Sequence, residues 1–283
     1  MNILVVGLGL IGGSLCKALK KYTDNTIIGL DTDKSVEQLA LGDKSIDYTF
    51  SENYEEIELI IICLYPDAAE KYLFAIGDNL KSGTVITDVC GIKGDFAERI
   101  NDYCNQKKLK YVGIHPMAGR EVGGYKNSSS ELFKNANFII TPFENSDKAA
   151  VKMLKELSIK VGAKKLVVTT PYEHDKMIAY TSQLAHVVSS AYVKSPAIEK
   201  ECGFSGGSFQ DMTRIATMNE DMWSTLFLQN RDNLLEELNI LINNLQKYSK
   251  VISENNKPEL MKLIKEGRII KEANLKKRIG EPN

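Results

Sequence analysis

The sequence predicts an α/β protein in which an N-terminal Rossmann-type domain, with a doubly wound and mostly parallel sheet, precedes an all-α domain. Three observations carry this expectation. From Met1 to about Lys165, short β-rich apolar runs alternate with amphipathic stretches, the pattern of strands linked by crossover helices. The runs are apolar throughout rather than alternating, as strands covered by helices on both faces must be. From Asp175 onward strand signals stop, and Leu and Ile recur at three- and four-residue spacing, the period of a helix. The expected division is a dinucleotide-type domain over 1–168 and a helical domain over 169–283.

Taken in order, "NILVV" is the first strand, and Gly7-x-Gly9-x-x-Gly12 directly behind it turns the chain into a helix expected over Ser14–Lys21. "NTIIGL" follows as the second strand and ends at Asp31. "ELIIICL", "GTVITDV", "KYVGIH", "NFIITP" and "KKLVV" supply the remaining strands, each a short run rich in β-branched residues between turn formers. In the second half, "DKMIAYTSQLAHVVSSAYV", "MWSTLFLQNRDNLLEELNILINNLQKYSKVI" and "PELMKLIKEGRIIKEA" read as helices, and the glycine-rich "GFSGGSFQD" (Gly203–Asp211) as a loop between them. The long helices carry an apolar stripe larger than a domain of ~110 residues covers by itself. A homodimer interface through the helical domain is therefore expected.

Composition narrows the function classes. The 283 residues hold 36 Lys and Arg against 37 Asp and Glu, with no basic footprint for nucleic acid or an anionic membrane surface. Five scattered cysteines without a CxxC pair suggest neither a disulfide framework nor a metal site. No run reaches the ~20 apolar residues of a membrane span, so a cytoplasmic protein acting on a small molecule is expected.

The glycine loop has the context of a dinucleotide site. Gly7 permits the tight turn, Gly9 lets a pyrophosphate approach the backbone, and Gly12 lets the helix pack close to the sheet. The phosphates would rest on the helix N-terminus near the amides of Leu10 and Ile11. Asp31, 19 residues after Gly12, can accept hydrogen bonds from both hydroxyls of an adenosine ribose and would repel a 2′-phosphate. NAD is favoured over NADP, with Asp33 adding to the repulsion. The competing readings are a plain strand-to-helix turn and an Asp that caps the next helix.

In such sheets the carboxyl ends of the strands face the ligand crevice. "CLYP", "TDVCGIK" and "GIHPMAGRE" are such ends, with Leu64 and Pro66 of the first as further cofactor-binding candidates. His115, held in an extended conformation by Pro116, is a suitable base for removing a hydroxyl proton while a nicotinamide takes hydride from the same carbon. The bland alternative is a histidine hydrogen-bonded within a loop. His174 and His186 fall in the first helix of the second domain, where Asp175, Ser182 and His186 are expected to share one face and line a cleft. Arg214 in "DMTRIA" invites a bidentate carboxylate, either a substrate's or an internal one.

"GLGLIGGSL", "TDVCGIK", "HPMAGRE", "EHDKMIAYTSQLAH" and "DMTRIA", in this order, resemble the prephenate dehydrogenase family, which includes arogenate and cyclohexadienyl dehydrogenases. The resemblance runs from Asn2 to about Leu245. It implies NAD-dependent oxidative decarboxylation of prephenate, or of arogenate, to an aromatic product in tyrosine biosynthesis. It implies His115 as the catalytic base and Arg214 as the carboxylate anchor. Glu121, His186, Ser182 and Gln183 would lie around the substrate side chain. Two positions depart from the family pattern. Gly91 stands where many members carry a serine that helps orient the histidine, and Gln183 stands where many carry a histidine. The regulatory αβ domain that some members append is not seen, so any tyrosine inhibition would act at the active site.

Two other readings share the architecture. A β-hydroxyacid dehydrogenase or pyrroline-carboxylate reductase also joins a dinucleotide domain to helices, but the former would depend on a lysine within the helix that here has Lys176 only at its start. A dinucleotide-sensing regulator would keep Gly7, Gly9 and Asp31 without needing His115, His186 and Arg214.

Overall fold

The computed structural model describes residues 1–120 and 122–280. The chain forms two compact units, Met1–Asn230 and Arg231–Asn283. The first unit opens with β1 (Asn2–Val6), α1 (Leu10–Tyr22), β2 (Thr26–Leu30), α2 (Lys34–Gly42), β3 (Tyr48–Thr49), β4 (Leu59–Ile62), α3 (Pro66–Ile76), β5 (Val85–Asp88), α4 (Gly94–Gln106) and β6 (Lys110–Tyr111). The six strands form a sheet in the order β3-β2-β1-β4-β5-β6, and every pairing is parallel. β1 pairs with both β2 and β4. The strand order reverses there, so the crevice beyond the ends of β1 and β4 is where a dinucleotide fold takes its ligand.

Successive strand residues point to opposite faces, and both faces are covered. Ile3, Val5 and Ile61 join Leu15 and Leu19 of α1 in one core, while Leu4, Ile60 and Ile86 join Leu73 of α3 and Phe96 of α4 in the other. This two-sided burial is why the strands read as unbroken apolar runs. α1 begins at Leu10, four residues before the sequence suggests, because glycines carry almost no helix signal of their own. β3 is two residues long, too short to show a period.

The expectation of one sheet needs correction. "KYVGIH" divides into β6 and β7 (Gly113–Pro116), and β7 leaves for a second sheet with β8 (Asn137–Thr141) and β9 (Lys165–Val168). Val112 N–H still donates to Ile86 O in the first sheet, whereas Gly113 already pairs with Thr141. β7 and β8 run antiparallel, and β8 and β9 parallel, with α5 (Lys148–Lys160) between the latter two.

Helices complete the unit: α6 (Pro171–Ile178), a π turn over Ala179–Gln183, α7 (Leu184–Tyr192), α8 (Gly207–Thr213) and α9 (Glu220–Gln229). α8 claims residues 207–211, so only the first part of the expected Gly203–Asp211 loop is irregular. In the second unit α10 (Arg231–Ser253) packs on α11 (Lys257–Gly280). Leu235, Leu245 and Ile252 of α10 and Ile264 and Ile270 of α11 are exposed, an apolar surface of the kind that oligomers cover. Among the described residues no helix is long and apolar enough to cross a membrane.

The junction of the two sheets is held by charge. Lys93 is 0% exposed, and its Nζ donates to Asp88 Oδ1 at 2.6 Å and to Ile114 O at 2.8 Å. Asp88 Oδ2 accepts from the Tyr111 hydroxyl at 2.6 Å. One ammonium thus fastens the end of β5 to β7 across the break. Removing one partner of a buried pair leaves the other charge uncompensated, so Lys93→Met is expected to lower unfolding stability by about 3–5 kcal/mol. Urea titration measures this, and an unchanged midpoint would contradict the role given to the pair.

Candidate functional site

Two groups of side chains gather at the carboxyl ends of the strands, and a third lies on α7 and its neighbours. The first is the glycine turn between β1 and α1. Gly7 has φ +87°, and a Cβ there would lie 2.6 Å from the carbonyl oxygen of Cys63, so only glycine fits. A Cβ on Gly12 would overlap the Gly7 carbonyl oxygen, whereas one on Gly9 would meet nothing within 4 Å. The turn is therefore closed on the protein side and open where a ligand would approach. Above it α1 starts with no side-chain cap and no acidic residue in its first turn, leaving the amides of Leu10 and Ile11 and the helix dipole available to an anion. Leu64 borders Gly7, and Pro66 is the buried first residue of α3.

Asp31 closes this group. Its Oδ2 accepts from Leu8 N–H at 2.7 Å and its Oδ1 from Asp33 N–H at 2.9 Å. The carboxylate therefore ties the glycine turn to the end of β2. Each oxygen keeps a lone pair for a hydroxyl donor. The cap of α2 is Asp33, which accepts from Ser35 N–H, so helix capping does not explain Asp31.

The second group surrounds His115, half-buried on β7. Its Nδ1 lies 2.9 Å from His174 Nε2, and His174 Nδ1 lies 2.6 Å from Asp175 Oδ1. The same Asp175 oxygen accepts the backbone N–H of Lys93 at 2.8 Å. Burial, with His174 and the Lys93 charge adding to it, holds the His115 imidazole well below its ordinary pKa. Burial also lowers that of His174, against the opposing pull of Asp175. His115 is thus a neutral imidazole fixed on one side by a buried chain of partners.

The third group contains His186, whose Nδ1–H donates to Ser182 O at 2.9 Å and whose ring stacks on Trp223 of α9 at 3.7 Å between centroids. Burial lowers its pKa, and the Arg214 charge lowers it further. Arg214 is exposed at the start of the turn Arg214–Ala216, which packs on α7. The region can therefore present a cation beside an aromatic stack.

Several expectations change here. Asp175, Ser182 and His186 do not form one cleft-lining stripe. The π turn adds width to the helix between them, and Asp175 is buried against Lys93 while Ser182 is half-buried. Gln183 is 1% exposed, its Nε2 donating to Leu226 O at 2.9 Å and its Oε1 accepting from Asn230 Nδ2 at 2.7 Å. Its amide binds the helix junction. Glu121 lies outside the described residues. The sequence reading passed over His174, Asp175 and Lys93 as partners of His115. Their signal was the juxtaposed "HD" and the lysine closing "TDVCGIK".

The model of the prephenate dehydrogenase nucleotide-binding domain matches residues 15–167, and that of the prephenate dehydrogenase dimerization domain matches residues 170–266. A prephenate dehydrogenase of Bacillus subtilis is 32% identical over 93% of this chain and 73% of its own. Prephenate dehydrogenase from A. aeolicus, solved with hydroxyphenyl propionate and NAD+, superposes with a TM-score of 0.86 at 25% identity, covering 96% of this chain and 98% of that one. A Synechocystis arogenate dehydrogenase gives a TM-score of 0.82 at 25% identity, over 97% and 100% of the two chains. With both domain models matched in order and a relative 32% identical over 93% of this chain, the chain belongs to the prephenate dehydrogenase family.

Proposed function

We propose that this chain is an NAD-dependent dehydrogenase that oxidatively decarboxylates prephenate, with arogenate as the alternative substrate of the same site. The observation that carries the reading is a neutral imidazole, His115, fixed at a strand end in a chain whose glycine turn is open to a dinucleotide. NAD, when bound, supplies the acceptor for the hydride that leaves C4 of the ring. Gly7, Gly9, Gly12 and the amides of Leu10 and Ile11 hold its pyrophosphate, and Leu64 and Pro66 border it. Asp31 takes the ribose hydroxyls and repels a 2′-phosphate. His115 removes the proton of the ring hydroxyl as the hydride departs, and carbon dioxide leaves as the ring becomes aromatic. Because aromatisation drives the reaction, the protein's main contribution is orientation and proton removal. Arg214 anchors a substrate carboxylate, with His186, Ser182 and Glu121 around the side chain.

The end of β9 at Val168, with helices following, supports the reading of a dinucleotide domain over 1–168 and a helical domain over 169–283. α10 and α11 belong to a homodimer interface, in keeping with the dimerization domain matched there. Tyrosine, which resembles the product, would inhibit by occupying the substrate site.

The direct test follows nicotinamide absorbance with prephenate and arogenate supplied separately, NADP as a control, and His115→Asn alongside. Turnover with NAD on at least one substrate is expected, and a loss of about 10²-fold or more in the variant, the contribution of a positioned base. Equal turnover in the variant would contradict the role of His115. The pH profile gives a second check. Because the folded pKa of His115 lies below the ordinary 6.5, the base form survives as pH falls through 6.5, and the acid limb of kcat/KM is expected below that value. Stability runs the same way. An unfolded histidine binds its proton near 6.5 while the buried ones stay neutral, so stability is present above that pH and lost as pH falls below it. A Tm that rises on acidification between about pH 7 and pH 5 would contradict this.

A further inference from the structure

The hydrogen bonds around His115 specify which of its nitrogens is the base. Asp175 Oδ1 accepts from Lys93 N–H at 2.8 Å and lies 2.6 Å from His174 Nδ1. A carboxylate oxygen only accepts, so the His174 proton sits on Nδ1. His174 is 1% exposed and burial disfavours its charged form, so its Nε2 carries no proton and can only accept. The atom it faces at 2.9 Å is His115 Nδ1, which must therefore donate. That leaves a bare lone pair on His115 Nε2. On that side stands Gly91, where a Cβ would lie 3.8 Å from Nε2. Gly91 has no side chain to fix the ring from that side.

We infer that His174 and Asp175 are positioning residues that set the tautomer of His115, leaving Nε2 as the proton acceptor and offsetting the charge the ring gains. The inference rests on the reading of His115 as the base. In the step, the O–H bond of the ring hydroxyl breaks and an Nε2–H bond forms. The electron pair stays on oxygen to make the carbonyl as hydride passes from C4 to the nicotinamide. His115 then carries a positive charge while its Nδ1–H still donates to His174. The Asp175 carboxylate, held by Lys93 N–H at the start of α4, supplies the compensating negative charge through His174. The other charged groups facing this chain, Lys93 Nζ and Asp88, are already paired with each other.

Asp175→Asn separates the charge from the shape. Because one oxygen accepts both Lys93 N–H and His174 Nδ1–H, the asparagine oxygen keeps both bonds and both tautomers, while the compensating negative charge is lost. The expected result is a fall in kcat of about tenfold, the difference between a charged and a neutral hydrogen-bond acceptor, with NAD affinity and Tm little changed. Imidazole 15N NMR of the ligand-free protein reads the tautomers independently of turnover. His115 is expected protonated at Nδ1 in the wild type and in Asp175→Asn, and to gain the Nε2-protonated form in His174→Phe, which fills the same space without an acceptor for Nδ1–H. A folded Asp175→Asn variant with kcat within about threefold of wild type, or a wild-type His115 protonated at Nε2, would overturn the inference. Absence of wild-type turnover on both substrates would instead count against the dehydrogenase reading, and the NMR tautomers would still decide this one.

Discussion

The buried Lys93 is the constraint on which the site depends. A fully desolvated ammonium must be paired and hydrogen-bonded to be tolerated, and Lys93 donates to the Asp88 carboxylate and to the carbonyl of Ile114. Ile114 precedes His115, so satisfying the charge also fixes the strand that carries the imidazole. The backbone N–H of Lys93 donates to Asp175, which fixes the helix that carries His174. One residue therefore sets both ends of the contact between His115 and His174.

The π turn plays a complementary part. Widening the helix between α6 and α7 lets Asp175 and His174 face the sheet while His186 turns toward Trp223. Gln183 and Asn230 hold that arrangement. Gln183 bonds Leu226 O of α9, and Asn230 Nδ2 donates both to Gln183 and to the Asp175 carbonyl. The substitution of a glutamine in "SQLAH" thus has a structural outcome: the amide secures the helix whose Trp223 stacks on His186.

Much of the fold was legible because two-sided burial writes itself into sequence. "ELIIICL" and "GTVITDV" could only be interior strands, and the glycine spacing with Asp31 marked the crevice. The division of "KYVGIH" between two sheets was not legible, since leaving one sheet for another at Gly113 does not alter the apolar pattern. The site was legible where function follows position along a strand, as at His115, or along a turn, as at Gly7 and Gly12. It was not legible where it depends on contacts between distant segments. His115 and His174 are 59 positions apart, and no periodicity links them. The shared face expected of Asp175, Ser182 and His186 fails for the related reason that helical spacing cannot anticipate a π turn, which changes the direction every later side chain faces.

The central claim, that His115 meets the reacting hydroxyl beside a dinucleotide seated on the glycine turn, is tested most directly by a crystal structure with NAD and 4-hydroxyphenylpyruvate. The account predicts the phenolic oxygen within about 2.6–3.2 Å of His115 Nε2 and the pyrophosphate on the amides of Leu10 and Ile11. A phenolic oxygen turned toward His186 or solvent, with His115 Nε2 bonded elsewhere, would contradict it.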